Sequence, residues 1–505
     1  MLYVNGSEIL NDDNKASALS SQYASVFTVD NGECPEFEMR MPPDSLNDVL
    51  ITDRLIIEAI HHMNGNSAPG MDNIHPIFVK NVFPFLIKPL RLIFTKSFQT
   101  GIVPVDWTRG LICPIYKNNG RPNDCSSYRP ICLTSIICRL FEYIVRKQML
   151  EYFIGNNLLS PSQHGFLPKR STCTNMLSCL NDWTKFLNDG KCFDVIYIDL
   201  AKAFDTVSHS KLLQKLCALG VGGCLLRWLR KFLVGRVQSV RVGTSISSAV
   251  PVMSGIPQGT ILGPLLFLLY VNDLPDTLAT SNSNLILYAD DSKLYWRTSS
   301  TNECLLLASD LLSLEEWFSR WQLTVNISKC EVLNVGFDNS MFPFRIGNHI
   351  MPQSSSCKDL GIHVSRDLSS SKHCTTISNF AHFKCRQFYR SFACKDRDFL
   401  LFLFTTYIRP ILESSSPLWS PHLVSDINTV EGVQRKFTKY LPGLFDVSYP
   451  ERLRILNLES LELRRLRADL ILLYKIVHKM VDIDFDTLFS FNSNSTSHKP
   501  QEVTH

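Results

Sequence analysis

Asp290 and Asp291 stand side by side after a short apolar run, Leu285-Ile286-Leu287-Tyr288-Ala289, and a second β-type run, Lys293-Leu294-Tyr295-Trp296, follows almost at once. That pattern predicts a tight hairpin with the acidic pair at its tip. Side chains alternate along a strand, so neighbouring aspartates point apart unless the turn redirects one of them. Such a pair is either a solvated turn or a ligand set for a hard cation. A third carboxylate, Asp199, closes another β-type run, Cys192-Phe193-Asp194-Val195-Ile196-Tyr197-Ile198, 91 positions earlier. If the two strands are neighbours, three carboxylates meet at one edge, and ionised carboxylates that close together call for a cation. Two Mg²⁺ ions held there activate an attacking oxygen and stabilise a leaving pyrophosphate. The competing reading is three independent surface aspartates.

The elements that must position these residues read as a mixture of helices and short strands. Helical periodicity runs through Leu55, Ile56, Ala59 and Ile60, again through Phe78 to Phe94, and through Leu140, Phe141, Ile144 and Val145. Trp107–Lys117 reads as a strand, and Tyr128-Arg129-Pro130-Ile131 as a loop. Helices follow Asp199 through Leu212–Leu219 and Leu225–Leu233, and Val237, Val240 and Val242 mark a strand. Ser254-Gly255-Ile256-Pro257-Gln258-Gly259 is a flexible loop opening the apolar helix Ile261–Tyr270. A helix through Leu311, Leu314, Trp317 and Trp321 and a strand over Glu331–Phe337 come next. From Ile377 onward the pattern is helical and basic, ending in a polar low-complexity tail at Asn492–Ser497.

At 505 residues the chain is too long for one ordinary core and predicts two or three subdomains. Net charge is only +4, but it is uneven. Residues 1–60 carry 3 Lys/Arg against 11 Asp/Glu, whereas residues 366–480 carry 18 against 11. A basic C-terminal third suits a polyanionic partner, or else a solvated helical surface. Sixteen cysteines without a Cys-x-x-Cys pair predict reduced thiols in an intracellular protein, not a disulfide framework. His373, Cys374, His382 and Cys385 have no zinc-module spacing and read as core packing. No apolar run reaches the ~18 residues of a membrane span, and the first six residues lack signal-peptide character.

Several further motifs accompany the aspartates. Asp199-Leu200-Ala201-Lys202-Ala203-Phe204-Asp205, Ser254 through Pro264, and Tyr288-Ala289-Asp290-Asp291 are interspersed and flanked by Pro114-Ile115-Tyr116-Lys117, Tyr128-Arg129-Pro130-Ile131, Gln163-His164-Gly165-Phe166, Asn326-Ile327-Ser328-Lys329 and Lys358-Asp359-Leu360-Gly361-Ile362. Together, over about residues 50–480, they resemble the reverse transcriptase of LINE-type (non-LTR) retrotransposons. The resemblance implies an α+β right-hand polymerase: palm with an antiparallel sheet and packed helices, fingers, and a helical thumb. It divides the chain into an acidic N-terminal extension (1–50), a helical segment (51–105), fingers and palm (106–364), a basic helical thumb region (365–480) and a polar tail (481–505). The implied activity is RNA-directed DNA polymerisation by two-metal-ion nucleotidyl transfer with Mg²⁺ or Mn²⁺. The implied partners are an RNA template, a DNA primer or target and dNTPs, in a cytoplasmic or nuclear ribonucleoprotein that is neither secreted nor membrane-bound.

Residue roles follow from the same resemblance. Asp199 and Asp290 are the expected main metal ligands, with Asp291 the third carboxylate. Lys329 matches a lysine placed to protonate pyrophosphate or steady its charge, against a plain exposed lysine. Lys117 and Arg129 match positions that grip the triphosphate, although Arg129 also suits a structural ion pair. Phe204 matches an aromatic steric gate against a 2′-hydroxyl, or a core phenylalanine. Gln258 and Gly259 would meet nucleotide and template, where glycine permits close backbone approach, and Tyr288 would pack beneath the primer end. Gln163–Phe166 is expected to shape the fingers, with His164 structural. Arg464, Arg465 and Arg467 suit phosphate-backbone contact, or a solvated basic face. Against the full-length pattern of such elements, no endonuclease is expected ahead of Thr52 and no Cys/His knuckle is found. The competing functions are a non-catalytic nucleic-acid-binding remnant and an intron-encoded maturase; the intact aspartate triad favours the polymerase, and a maturase would need a splicing domain.

Overall fold

The computed structural model describes residues 2–4, 7–118, 120–337 and 339–489; most of the polar tail lies outside them. The acidic hairpin belongs to a five-stranded sheet, in the order Gln353–Ser354, Glu331–Val335, Phe193–Ile198, Asp291–Arg297, Asn284–Tyr288. Pairing is antiparallel except at the Gln353–Ser354 edge. Both faces are covered, so its inner strands carry apolar residues on both sides, interrupted by the buried polar residues Asp194, Ser292, Lys293 and Asn334. Ile196, Ile198, Leu285, Leu287, Leu294 and Val332 face the main core. On the opposite face, Phe193, Val195, Ile286, Tyr295, Leu333 and Val335 pack with Met176, Cys179 and Trp183 of the helix Thr172–Asn188. The helix Gly263–Tyr270 is apolar on every side and buried throughout except at Pro264, as the middle of a core requires.

A second sheet carries the Lys117 and Arg129 motifs. Tyr128–Leu133 pairs antiparallel with Arg109–Tyr116, which runs parallel to Val237–Val242; Ser245–Ile246 and Val250–Pro251 complete it. The Tyr-Arg-Pro-Ile stretch is therefore a strand, not the expected loop. Its proline is tolerated because this strand lies at the sheet's edge, where a missing donor breaks no inner ladder, and Pro130 sits opposite Pro114.

Residues 1–50 are a folded part of the body, not an appendage. Leu2–Val4 pairs with Ser7–Ile9, and the helix Asp12–Ala24 lays Leu19 and Tyr23 onto Ile112, Cys132 and Val240 of the second sheet. The chain then crosses the core extended: Phe37 meets Trp321 edge-on at 5.4 Å, and Leu46 bridges to Val221. Low periodicity concealed this, because an extended strap packs through scattered single residues.

The C-terminal helices enclose a separate core around Phe404, Trp419, Val430, Val433 and Phe437. The expected packing of Cys374 and Cys385 holds; both are buried in it, and the His373 ring lies 5.0 Å from Trp419. All sixteen cysteines are free thiols. No helix among the described residues is long and apolar enough to cross a membrane.

One buried ion pair ties the Lys358–Ile362 motif to the acidic hairpin. Lys293 lies two residues past Asp291, and its Nζ reaches Asp359 at 2.9 Å and Asn175 Oδ1 at 2.6 Å; Tyr197 donates to the same carboxylate at 3.2 Å. Removing one member of a buried pair leaves an uncompensated charge, costing about 3–5 kcal/mol. Asp359→Ala is expected to lower stability by that amount in urea titrations. The double variant Lys293→Met/Asp359→Leu should recover most of the loss, and equal midpoints for Asp359→Ala and wild type would show the pair to be dispensable.

Candidate active site

The hairpin tip is a two-residue loop, Ala289-Asp290, between the paired Tyr288 and Asp291. Ala289 adopts φ 57°, a left-handed conformation that costs a residue with a Cβ about 1–2 kcal/mol. The Gln163-His164-Gly165-Phe166 motif holds it there. Gln163 Oε1 accepts from Ala289 N at 2.9 Å and Gly165 N at 2.8 Å, while His164 N donates to Leu287 O at 2.9 Å. A Cβ on Gly165 would stand 2.5 Å from Ala289 N, so glycine alone allows this approach. The motif thus clasps the hairpin. His164 is structural as expected: its Nδ1 lies 2.9 Å from Thr174 Oγ1, and burial brings its pKa down to about 4.

Strand register brings Asp199 to this tip. Ile198 pairs with Ser292, so one step further Asp199 falls opposite Asp291, on the strand face of Tyr197 and Lys293. Asn326 Nδ2 donates to Asp199 Oδ2 at 2.9 Å, and Lys329 Nζ lies 3.1 Å from the same oxygen. Burial raises the Asp290 carboxyl above its ordinary value and the charge of Asp199 adds to it, while its own backbone amide, Lys329 and Arg129 oppose the rise. Asp291 is pushed up to about 6 by the protein crowded around it, then by Asp290, Asp199 and Asp359.

Among the described residues no three His, Cys, Asp or Glu side chains form a ready-made metal cage. The donor chemistry nevertheless fits a hard cation of the Mg²⁺ kind, which takes one or two carboxylates and completes its shell with water and substrate phosphate. Repelling carboxylates with a lysine ammonium against one of them already show the demand for positive charge.

The second sheet presents its cations to the same place. Lys117 and Arg129 are both exposed, and Arg129 makes no ion pair with another described residue. Burial lowers the Lys117 pKa, and Lys329 and Arg129 lower it further, against Asp205 and Asp124; these charges face one cleft. Lys117 Nζ meanwhile donates to Ser126 O at 2.8 Å.

Gln258 is oriented by a partner that the sequence did not reveal, since its Nε2 donates to Asp205 Oδ1 at 3.0 Å. Burial raises Asp205 to about 6, with Gln258, Lys202 and Lys117 pulling it down. Gly259, at φ 107°, passes so close to Cys132 O that a Cβ would lie 2.7 Å away. Phe204 is half-buried and stacks on Phe267 with ring centroids 4.4 Å apart. It therefore touches the core while keeping an exposed part, which joins its two readings. Tyr288 is half-buried beside the acidic tip.

The three C-terminal arginines are placed differently. Arg464 binds both oxygens of Glu413, Arg467 pairs with Glu459, and Arg465 is buried at 2% exposure. Two of these three charges are thus paired with carboxylates and the third is enclosed.

Residues 115–364 match the family described as reverse transcriptase (RNA-dependent DNA polymerase), and this part of the chain is a domain of that family. Its relatives place it among the LINE-type, non-LTR retrotransposon enzymes. It is similar to the probable RNA-directed DNA polymerase from transposon X-element of Drosophila melanogaster, at 27% identity over 79% of this chain and 46% of the relative. The RNA-directed DNA polymerase from mobile element jockey of Drosophila funebris shares 26% over 72% of this chain and 40% of its own length. The Pol polyprotein from the type-1 element R2 of Popillia japonica shares 26% over 57% and 40%. The chain spans less than half the length of these curated relatives.

Glu142 is a second residue the sequence reading missed, although an acid amid Leu140, Phe141, Ile144 and Val145 was a visible signal. It is fully buried, and Oε2 accepts from Ile261 N at 2.8 Å and Leu262 N at 3.1 Å, fixing the end of the Gln258 loop where the next helix starts. Glu142→Ala leaves two buried amides without a partner at about 1–3 kcal/mol each, and should lower the thermal midpoint sharply. Glu142→Gln keeps an acceptor and should retain most of the stability; identical melting curves for the two variants would remove the capping role.

Proposed function

We propose that this chain is an RNA-directed DNA polymerase, adding deoxynucleotides to a primer 3′ end on an RNA template. The observation that carries the reading is the strand register that sets Asp199 against Asp291 beside Asp290, in a cleft faced by Lys117, Arg129 and Lys329. Asp199 and Asp290, with Asp291 next to them, would hold divalent cations, Mg²⁺ or Mn²⁺, whose chemistry when bound is activation of the attacking oxygen and neutralisation of the leaving pyrophosphate. Lys117 and Arg129 grip the triphosphate by charge-assisted hydrogen bonds. Lys329, anchored near Asp199, holds a proton at Nζ for the departing phosphate. Gln258, steadied by Asp205, lies along nucleotide and template. Phe204, backed by Phe267, offers a flat ring to the sugar.

Asp290→Asn keeps the side chain's size and removes the charge that binds the cation. Primer extension with purified protein, Mg²⁺, primed RNA and dNTPs should be lost in this variant while RNA binding persists. Extension at the wild-type rate would refute the carboxylate assignment, and a folded wild-type chain that binds primed RNA without extending it would favour a non-catalytic binding protein.

Phe204→Ala separates gate from core. A gate predicts a raised ratio of kcat/KM for rNTP over dNTP with stability largely retained. A core phenylalanine predicts a fall for both sugars together with a stability loss of about 3–5 kcal/mol.

A further inference from the structure

The C-terminal helices hold a cleft that the polymerase reading does not use. It has a volume of about 580 Å³ and lies between the helices Ser371–Ser391 and Val424–Lys439 and the segment beginning at Lys395. Arg386 and Arg390 stand four residues apart on one helix and so share a face, while Lys436 lies in the last turn of the other, which Tyr440 caps. Lys395 and Tyr389 complete the set, and no carboxylate lines the cavity.

Arg386, Arg390, Lys395 and Lys436 are exposed, and none of the four forms an ion pair with a described residue. This contrasts with Arg464 and Arg467, which carboxylates hold. Lys395 is tethered to the carbonyls of Tyr389 and Phe392 and lies over the Tyr389 ring. Lys436 and Arg386 both depress the pKa of His382, after burial, so their fields converge inside the cleft. Tyr440 is 56% exposed at the rim, and Lys439 sits 4.7 Å from the centroid of Phe445.

Four exposed cations with no carboxylate partner suit a polyanion, and a flat ring exposed beside them suits a partner with flat apolar faces. An acidic peptide meets the first requirement only. A duplex meets the charge, but its bases are stacked on one another. We propose that this cleft binds single-stranded nucleic acid, stacking an unpaired base on the exposed Tyr440 ring with its phosphates on Arg386, Arg390 and Lys436. A cavity of this size falls in the range of about 300–1,000 Å³ usual for small-ligand sites, enough for a nucleotide. The site is separate from the aspartates and would grip the strand outside the paired region.

The test is fluorescence anisotropy of the full chain with a labelled, unstructured RNA, run without divalent cation or dNTP. Arg386→Ala/Arg390→Ala/Lys436→Ala should weaken binding at least tenfold and flatten the log–log salt dependence by about 2, since each phosphate contact on a single strand contributes about 0.7. Tyr440→Ala should weaken RNA while leaving an abasic strand of equal length unaffected. In the wild-type chain, 4-thiouridine crosslinks should map to peptides containing residues 386–395 or 436–440, a readout that needs no variant to fold. Unchanged affinity and slope in the folded triple variant, or crosslinks confined elsewhere, would overturn the proposal. Polyglutamate competing as well as RNA would assign the cleft to an acidic protein, and displacement by mononucleotide alone would assign it to a free nucleotide; either result overturns it. Primer extension on a preformed, saturating primer–template is measured in parallel. Loss of cleft binding with extension intact supports the site, whereas intact cleft binding in a chain that cannot extend counts only against the polymerase reading.

Discussion

The pairing of Phe193–Ile198 with Asp291–Arg297 is the constraint on which the rest of the site depends. The side-chain period of a strand is two, so a slip of one residue would turn Asp199 and Asp291 to opposite faces and expose the apolar residues now packed on both sides. Several contacts guard against that slip. Leu294 and Ile196 face one core while Tyr295 and Val195 face the other. The Lys293–Asp359 pair adds a polar pin, because a buried ammonium has one place on this face where a carboxylate meets it.

Much of this arrangement was legible in the sequence. Apolar runs ending on aspartates gave both strands of the site, and the acidic pair at the tip of a hairpin is observed. The Ser254–Gly259 loop and the apolar helix after it are also present, the helix beginning at Gly263 rather than Ile261. What stayed hidden depends on contacts across long sequence distances. Gln163 reaches Ala289, Glu142 reaches Ile261, and Asp205 reaches Gln258, and nothing in local periodicity joins such pairs. Tyr128–Leu133 failed for a different reason: a proline argues against a strand unless the strand is known to lie at an edge, and edge position is a property of the assembled sheet. The C-terminal arginines show the converse case. A run of like charges looks free until the carboxylates of Glu413 and Glu459 are brought beside it.

The charge distribution divides the molecule more finely than its near-neutral sum suggests. At the acidic tip, carboxylates repel one another and one lysine answers them incompletely. In the second sheet, cations face that tip across the cleft, so the two sides of the cleft carry opposite charge. In the C-terminal body, some arginines are matched and others are not. Arg386 and Arg390, which no described carboxylate matches, line one cleft with Lys395 and Lys436, where a basic surface can act on a partner without first breaking an internal ion pair.

The N-terminal fifty residues complete this picture through hydrogen bonding more than through charge. Thr28 N donates to Ser254 Oγ at 2.7 Å, and that hydroxyl donates to Asp205 O at 2.8 Å. Asp205 in turn accepts from Gln258 through its carboxylate. Asp30 accepts from Ser208 at 2.7 Å, and Lys211, itself buried, reaches Asn31 Oδ1 at 2.9 Å. The acidic strap therefore ties the turn after Asp199 to the loop that carries Gln258, two segments some fifty positions apart in sequence. Tyr23 and Phe27 close the small cavity behind that loop. A segment that looks dispensable by composition thus helps hold the turn after Asp199 against the Gln258 loop.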